Sequence, residues 1–522
     1  MAALGACVRV GPDFEPIEAP VAESWLGVDG THAKAQRPED AAWWKSFNDP
    51  LLDNLVATAY RQNLSLQVAG VRVLQARAEL GAAIGDAYPQ QQRLVGNALY
   101  NRESDHAPNS QIFSTRNLNL PFQLPQRDQS FYSTQFGLTA NWEIDFWGKF
   151  RRAIESADAN LLASIADYDS TLVSLTGDVA STYVNIRTLE ERLRIARDNV
   201  NVQRSSLDIA RARFRAGETG ERDVQQALAQ LAETQAQIPQ LEIALRQAQD
   251  ALGVLLGMPP SDVRTLLGGP STIPKVPLEV AVGIPADLLR RRPDVLRAEQ
   301  QAAAQSARIG VAKANLYPAF SLSGTFAFAS SDTGQSDLSD VFSWGSRQIQ
   351  VGPAIQWNLF NYGQITNDVR SQDAQFQAAI LNYRNAVLQA QREVEDALVA
   401  FARSQEQTRY LERAVAASRR SLDLALIEYR QGQTDYTTVL TAEQNLLRQA
   451  DQLAVARANV PQGLIGVYRA LGGGWQIRQG HEFVPADIRE AMAKRTDWGG
   501  LLDIAAPPPA EQRDALVRLP EW

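Results

Sequence analysis

Two long stretches of the chain repeat apolar residues at the spacing of helices that pack side by side. Proline is absent from both, between 148 and 238 and between 354 and 460. The apolar positions recur at steps of three, four or seven, as in a coiled coil. In the second stretch they are Ile365, Val369, Phe376, Ile380, Tyr383, Val387, Val394, Leu398 and Phe401. In the first they are Phe150, Ile154, Leu161, Ile165, Tyr168, Leu172, Val179, Tyr183 and Ile186. A helix from Gly148 to Gly217 would be about 100 Å long, more than a globular core accommodates.

Alternation of apolar and polar residues predicts four strands, at about 90–101, 130–144, 319–329 and 347–360. The last is the clearest and also lies in a stretch, 348–367, that has no charged residue. A soluble sheet that is buried on one side is one interpretation. A membrane sheet is favoured, because the polar face carries Gln, Asn, Ser and Thr, as a wet lumen would, and aromatic residues stand near the strand ends.

The two halves of the chain are related by an internal duplication. The string WEIDFWG, which begins at Trp142, is similar to WNLFNYG, which begins at Trp357, 215 positions later. The same offset holds without a gap as far as Gly257 and Gly472. Upstream, Tyr88-Pro89 matches Tyr317-Pro318 at an offset of 229, so the difference falls between the two predicted strands of the first half.

Each half has the same predicted order of elements: a helical segment, two strands, a long helix, a tight turn and a returning helix. Repeat 1 spans 49–257 and repeat 2 spans 285–472, with their first helical segments at about 49–86 and 285–316. The turns, about 214–222 and 429–437, lie at the ends of the long helices farthest from the strands. In each a glycine follows a basic residue, which is typical of helix C-termini. These residues are Arg215, Gly217, Arg430 and Gly432.

Composition excludes several classes of function. The chain has 51 basic and 59 acidic residues and a net charge of −8. This charge argues against a nucleic-acid-binding protein, which would need a basic surface. One Cys and three His do not favour a disulfide framework or a multi-ligand metal site. Motifs for a nucleophile elbow, a phosphate loop or zinc are absent, so we expect no enzyme, catalytic residue or cofactor. The sequence contains no run of about 20 apolar residues, so it predicts no transmembrane helix.

Four strands in one chain are too few to close a membrane barrel, since single-chain barrels begin at eight strands. Open edges within lipid would leave backbone groups unpaired, at several kcal/mol each. The membrane interpretation therefore requires an oligomer. Eight strands from a dimer would be filled by side chains, whereas twelve from a trimer could leave a lumen.

Several motifs resemble the signature of outer membrane efflux proteins. They are the string RPD from Arg292, the pair Tyr317-Pro318, the stretch from Tyr429 to Glu443 and the string ALGGGW that ends at Trp475. The opening string VGPDF and the later FNDP are similar to the NodT/OprM-like branch of the TolC family. The resemblance spans about 7–475.

This resemblance implies an α+β membrane protein and a homotrimer. Each chain would give four strands to a 12-strand outer-membrane β-barrel, continued by a long periplasmic α-helical barrel. A mixed equatorial belt would be built from 8–48, 258–284 and 473–522. The implied function is a passive outer-membrane channel in a tripartite efflux pump, which passes small toxic compounds or drugs from an inner-membrane pump and a periplasmic adaptor. The adaptor would dock on the tips that carry Arg215, Gly217, Arg430 and Gly432.

Cys7 is the expected lipidation site. The string LGAC that ends at Cys7 is similar to a lipobox, although only six residues precede it. Residues 1–7 would be the remnant of a lipoprotein signal. Acylation would add anchoring of about 0.8 kcal/mol per buried methylene. We therefore expect a lipid-anchored protein in the outer membrane of a Gram-negative bacterium, with a large periplasmic portion.

Related channels often carry rings of acidic residues at the periplasmic mouth, just after the second tip. The matching positions here hold Thr438 and Thr441, with Asp435 and Glu443 nearby and Asp223 as the first-repeat candidate. These five residues are the expected gate candidates.

Two alternatives remain open at this stage. A type I secretion duct would share the fold but export a polypeptide. A soluble coiled-coil scaffold would explain the heptads but not the charge-poor strands.

Overall fold

The computed structural model describes residues 9–26, 33–34, 41–102, 104, 130–283, 291–332 and 337–502. The protein is mostly helical, with one four-stranded sheet and one short strand pair. The short pair joins β1 (Ala33–Lys34) in parallel to β4 (Val280–Ala281). It therefore holds the segment before repeat 1 beside the linker between the repeats.

Two helices precede the sheet where the sequence predicted one helical segment over 49–86. Helix α1 spans Pro50–Gln62 and α2 spans Leu64–Gly85. Between them, the Asn63 side-chain oxygen accepts a hydrogen bond from the Leu66 N–H at 2.8 Å, and its amide donates to the Leu255 carbonyl at 2.9 Å. The predicted helical segment is thus divided in two, because Asn63 caps the second helix.

The main sheet draws two strands from each repeat. Its antiparallel order is β2 (Gln91–Arg102), β3 (Ser130–Ile144), β5 (Ala319–Ser331) and β6 (Arg347–Gln356). The repeats meet where β3 pairs with β5, with Phe136 opposite Phe328.

The fourth strand ends at Gln356, four residues before its approximate predicted end at 360. Trp357 leaves the strand and its indole N–H donates to the Leu316 carbonyl at 3.0 Å.

Two helices of equal length dominate the molecule. Helix α3 spans Lys149–Arg215 and α7 spans Gln364–Arg430, 67 residues each, or about 100 Å. Each begins after a glycine with positive φ, Gly148 at 78° and Gly363 at 84°, which turns the chain out of the sheet.

Shorter helices complete each repeat. Helix α4 (Glu221–Leu256) follows α3, and α8 (Tyr436–Ala470) follows α7. Helix α6 (Pro293–Ala314) precedes β5, and the residues of its predicted start at 285 lie outside the described residues. Outside the repeats lie α5 (Pro260–Leu267) and α9 (Ala486–Arg495).

The largest apolar core surrounds the middle of α3. Trp43, from a short 3-10 helix at Trp43–Phe47, is buried there and stacks on Tyr468 with ring centroids 5.4 Å apart. A buried Arg478–Asp169 ion pair ties the segment after α8 to α3. Segments outside the repeats therefore pack around the middle of the helical bundle that is built on α3 and α7, which we call the rod. A second core lies at the end of the rod farthest from the sheet, which we call the tip.

The two long helices differ in how much of their surface the single chain covers. Helix α3 has 32 buried residues, whereas α7 has nine. Several apolar side chains of α7 are exposed: Leu381, Leu388, Val399, Tyr410, Leu424 and Ile427. One face of α7 therefore has no apolar partner among the described residues of this chain.

Candidate functional sites: the open sheet and the helical tip

The main sheet presents apolar side chains on an exposed face. On β6, Ile349, Val351 and Ile355 are 62 to 70 % exposed, and Leu138 of β3 is 57 % exposed. Cross-strand pairing places Ile349 opposite Phe326, so these side chains share one face. The other face of the same strands is rich in Gln, Asn, Ser and Thr. An exposed apolar face of this extent indicates contact with lipid or with another protein surface.

The edges of this sheet are open. Strands β2 and β6 are its outer strands, and each has a pairing partner on one side only within the described chain. Their outward N–H and C=O groups are thus available to another strand.

Tryptophan side chains fix the junction between the sheet and the helices, and the duplication is visible in their contacts. The Trp142 indole donates to the Ala87 carbonyl at 3.2 Å, and Trp357 donates to the equivalent Leu316 carbonyl. Trp147 stacks on Tyr317 with centroids 4.6 Å apart. Amphipathic rings of this kind suit a membrane–water interface.

The opposite end of the rod is a tip where the ends of four helices meet. Each long helix ends in the same cap: Glu218 N–H bonds the Arg213 carbonyl and Gln433 N–H bonds the Glu428 carbonyl. The pattern is a Schellman motif, in which a residue with positive φ ends the helix. Gly217 and Gly432 supply it, at 77° and 76°. Arg215 and Arg430 are exposed on these turns, and their role in docking stays a prediction.

Tyr429 joins the two halves of the tip. Its hydroxyl donates to Asp223 Oδ2 at 3.1 Å. The guanidinium of Arg213 lies 4.6 Å from the ring centroid and donates to the Tyr429 carbonyl. Burial and the Asp223 carboxylate raise the pKa of Tyr429 to about 12, so the hydroxyl stays protonated as a donor. Asp223, a predicted gate candidate, is therefore buried in a contact between α4 and α7.

The remaining gate candidates occupy two different faces of α8 and its cap. Asp435, Thr438 and Thr441 are exposed and follow each other at steps of three, so they share a face. Glu443 is 1 % exposed and points the other way, toward α3. The side chain of Glu443 is therefore enclosed within the single chain and does not share the exposed face of the other three. A gating role for any of these residues stays a prediction.

Glu443 lies against Ser206 of α3, whose hydroxyl donates to its Oε1. Burial raises the pKa of this carboxyl to about 7, although the Ser206 hydrogen bond lowers it. Neither Ser206 nor Arg213 was among the predicted site residues. One signal was available for Arg213, because the duplication places Glu428 at the equivalent position and so marks a difference between the tips.

Other expected features fall elsewhere. Cys7 lies outside the described residues. Within the described ranges, no cluster of three His, Cys, Asp or Glu side chains could hold a metal ion. None of the described helices combines the length and hydropathy needed to cross a membrane.

An open sheet with an exposed apolar face, carried on a helical rod with a capped tip, fits the class of membrane-associated subunits. Comparison with known proteins agrees with this class. The family model described as outer membrane efflux protein matches residues 55–258 and 284–473. The chain therefore belongs to the outer membrane efflux protein family, in its NodT/OprM-like branch, and is an outer-membrane channel component of efflux.

Similar proteins cover nearly the whole chain. Nodulation protein T of Rhizobium leguminosarum bv. viciae is 30 % identical over 472 residues, which are 90 % of this chain and 92 % of that protein. The pyoverdine export outer membrane protein OpmQ of Pseudomonas putida is 32 % identical over 449 residues, 85 % and 91 % of the two chains. The solved structure of the outer-membrane channel OprN is 33 % identical, with a TM-score of 0.79 over 90 % of this chain and 99 % of that one. This membership removes the soluble coiled-coil scaffold as an alternative.

Proposed function

We propose that three copies of the chain form one conduit, with a 12-strand barrel in the outer membrane and an α-helical barrel in the periplasm. The observation that carries this proposal is the four-stranded sheet with an exposed apolar face and two open edges. Lipid could cover the apolar face but could not form hydrogen bonds with the backbone groups at the two edges. Each unpaired backbone group costs several kcal/mol in hydrocarbon. Pairing β2 of one chain with β6 of the next removes every edge.

The helical part supports the same assembly. The exposed apolar side chains of α7 would be covered by the neighbouring chain, whereas α3 is already packed within its own chain. Burial of apolar area at about 25 cal/mol per Å² would stabilise a closed helical barrel. The polar face of the sheet would then line the lumen.

In this proposal the conduit passively exports small compounds that an inner-membrane pump delivers through a periplasmic adaptor. The similar protein OpmQ is named as an exporter of pyoverdine, which is a small molecule. This favours small cargo over the polypeptide that a type I secretion duct would export. The lipid anchor at Cys7 would hold the chain at the outer membrane in addition to the barrel. The adaptor would dock on the tip turns.

The gate is proposed to lie at the tip, where Tyr429 links α7 to α4 through Asp223. Asp435, Thr438 and Thr441 form the exposed stripe that would face the lumen or the adaptor.

The experiment is single-channel recording after the purified protein is inserted into planar lipid bilayers. We expect discrete ion conductance that rises when Asp223→Ala and Tyr429→Phe are combined, since both partners of the tip contact are lost. Absence of conductance from wild-type protein and from this double variant would contradict the channel.

A further inference from the structure

Glu443 is a buried acid in the tip that has no basic partner. It is 1 % exposed, and its Oε1 accepts a hydrogen bond from Ser206. Its Oε2 has no hydrogen-bond partner within the described chain. None of the ion pairs among the described residues involves Glu443. A buried carboxylate held by one hydrogen bond is costly, because the ionised form loses its hydration.

The groups that face Glu443 do not compensate a negative charge. Tyr436, on the same helix, and Tyr429 of α7 are neutral phenols packed against each other with centroids 5.4 Å apart. Asp223 of α4 adds a second carboxyl near Tyr436. On α3, Ser206 donates one hydrogen bond to Glu443, and Gln203, about one turn before Ser206, is a buried neutral amide.

The basic groups of the tip are engaged or exposed. Arg213 of α3 contacts Tyr429 and forms an ion pair with Glu218 at 3.1 Å. On α7, Arg419, Asp423 and Arg430 are exposed and line a surface groove of about 350 Å³ that also touches Ser206.

We propose that Glu443 is a proton-binding site of the tip: the protonated carboxyl keeps α3 and α8 packed, and loss of the proton loosens them. The inference rests on the proposed function in one respect, that the tip is the periplasmic mouth of the conduit. It differs from a lumen-lining acidic ring, because the carboxyl is enclosed between helices of one chain.

The direction of the pH effect follows from linkage. The pKa of Glu443 in the packed tip, about 7, lies above the value of 4.5 for an exposed glutamate. The packed tip therefore binds more protons than a loosened tip between these values, and its stability falls as the pH rises through that window. Packing is strongest in acid and weakest above about pH 7.

Infrared spectroscopy of the detergent-purified full chain measures the proton directly. We expect a carbonyl band of a protonated, buried carboxyl that disappears with a midpoint near neutral pH and is missing in Glu443→Gln. Ser206→Ala should move the midpoint upward, because the hydrogen bond that favours the ionised form is lost. Glu221→Gln, at an exposed acid of the same tip, should leave the band unchanged. A wild-type spectrum without this band in acid would overturn the proposal.

Hydrogen exchange measures the consequence for packing. Between about pH 5.5 and about pH 8.5, after correction for the chemical exchange rate, protection of 200–210 and 436–446 should fall about 30-fold in wild-type protein. Glu443→Gln should keep its protection at both pH values. Equal loss in the two proteins, or loss in neither, would refute the proton site. Protein that keeps this pH dependence but conducts no ions in bilayers would support the proton site and contradict the channel.

Discussion

At the scale of single residues, the tip is held by polar contacts between buried groups. Tyr429 presents its hydroxyl to Asp223, its carbonyl to Arg213 and its ring to both Arg213 and Tyr436. Loss of one partner leaves another buried group unsatisfied, which costs more than the hydrogen bond itself contributes. The tip is therefore sensitive to changes that remove a single atom.

Tyr429→Phe tests this sensitivity. We expect the tip to lose about 1–2 kcal/mol of local stability, because the Asp223 carboxylate loses its buried donor. Hydrogen exchange of 221–231 should then accelerate about tenfold. Tyr410→Phe is the matched control, since Tyr410 is on the same helix but exposed. Equal exchange rates in the two variants would show that the Tyr429 hydroxyl contributes nothing.

At the scale of elements, a single buried arginine holds three helices of repeat 2 together. Arg292, at the start of α6, donates to Asp294 and to Glu393 of α7, both at 2.7 Å, and to the Ala470 carbonyl at the end of α8 at 2.5 Å. One side chain thus fixes three helices relative to one another.

Arg292→Met should lower the free energy of unfolding by about 1–3 kcal/mol, because the buried Ala470 carbonyl loses its donor, whereas Asp294 and Glu393 keep access to water. The neighbouring Arg291 is exposed, so Arg291→Met should change stability by less than about 0.5 kcal/mol. Thermal melting of the two variants in the same detergent checks this. If the Arg292→Met variant has the melting temperature of the wild-type protein, Arg292 does not stabilise the contact between these three helices.

The tip turns allow a second prediction at this scale. Arg215 and Arg430 are exposed beside the capping glycines, so replacing both with alanine should weaken adaptor binding at least about tenfold without lowering stability. Surface plasmon resonance with the purified adaptor measures the affinity. Arg420→Ala, at an exposed position of α7 away from the turn, is the control. Unchanged affinity in the double variant would place docking elsewhere.

The sequence predicted those elements that a long periodic pattern specifies. The 67-residue helices and the two strands of each repeat could be predicted, because the apolar spacing and the 215-residue offset persist over many residues. The break at Asn63 and the end of β6 at Gln356 were not visible, since each depends on one side chain meeting a distant carbonyl. The burial of Glu443 was missed for a similar reason, because its neighbour Ser206 is 237 positions away.

At the scale of the whole molecule, the single chain is incomplete in two places. The sheet has open edges and an exposed apolar face, and α7 has an apolar face that nothing in the described chain covers. Both features lie on the two elements that a closed barrel would share between neighbours. A symmetric ring satisfies them together, because each chain offers one edge and one face to the next.

Native mass spectrometry of the detergent-extracted protein tests this assembly most directly. We expect a single species with the mass of three chains that persists when the detergent is diluted. A monomer or a dimer as the stable species would contradict it, since four or eight strands could not enclose an open lumen.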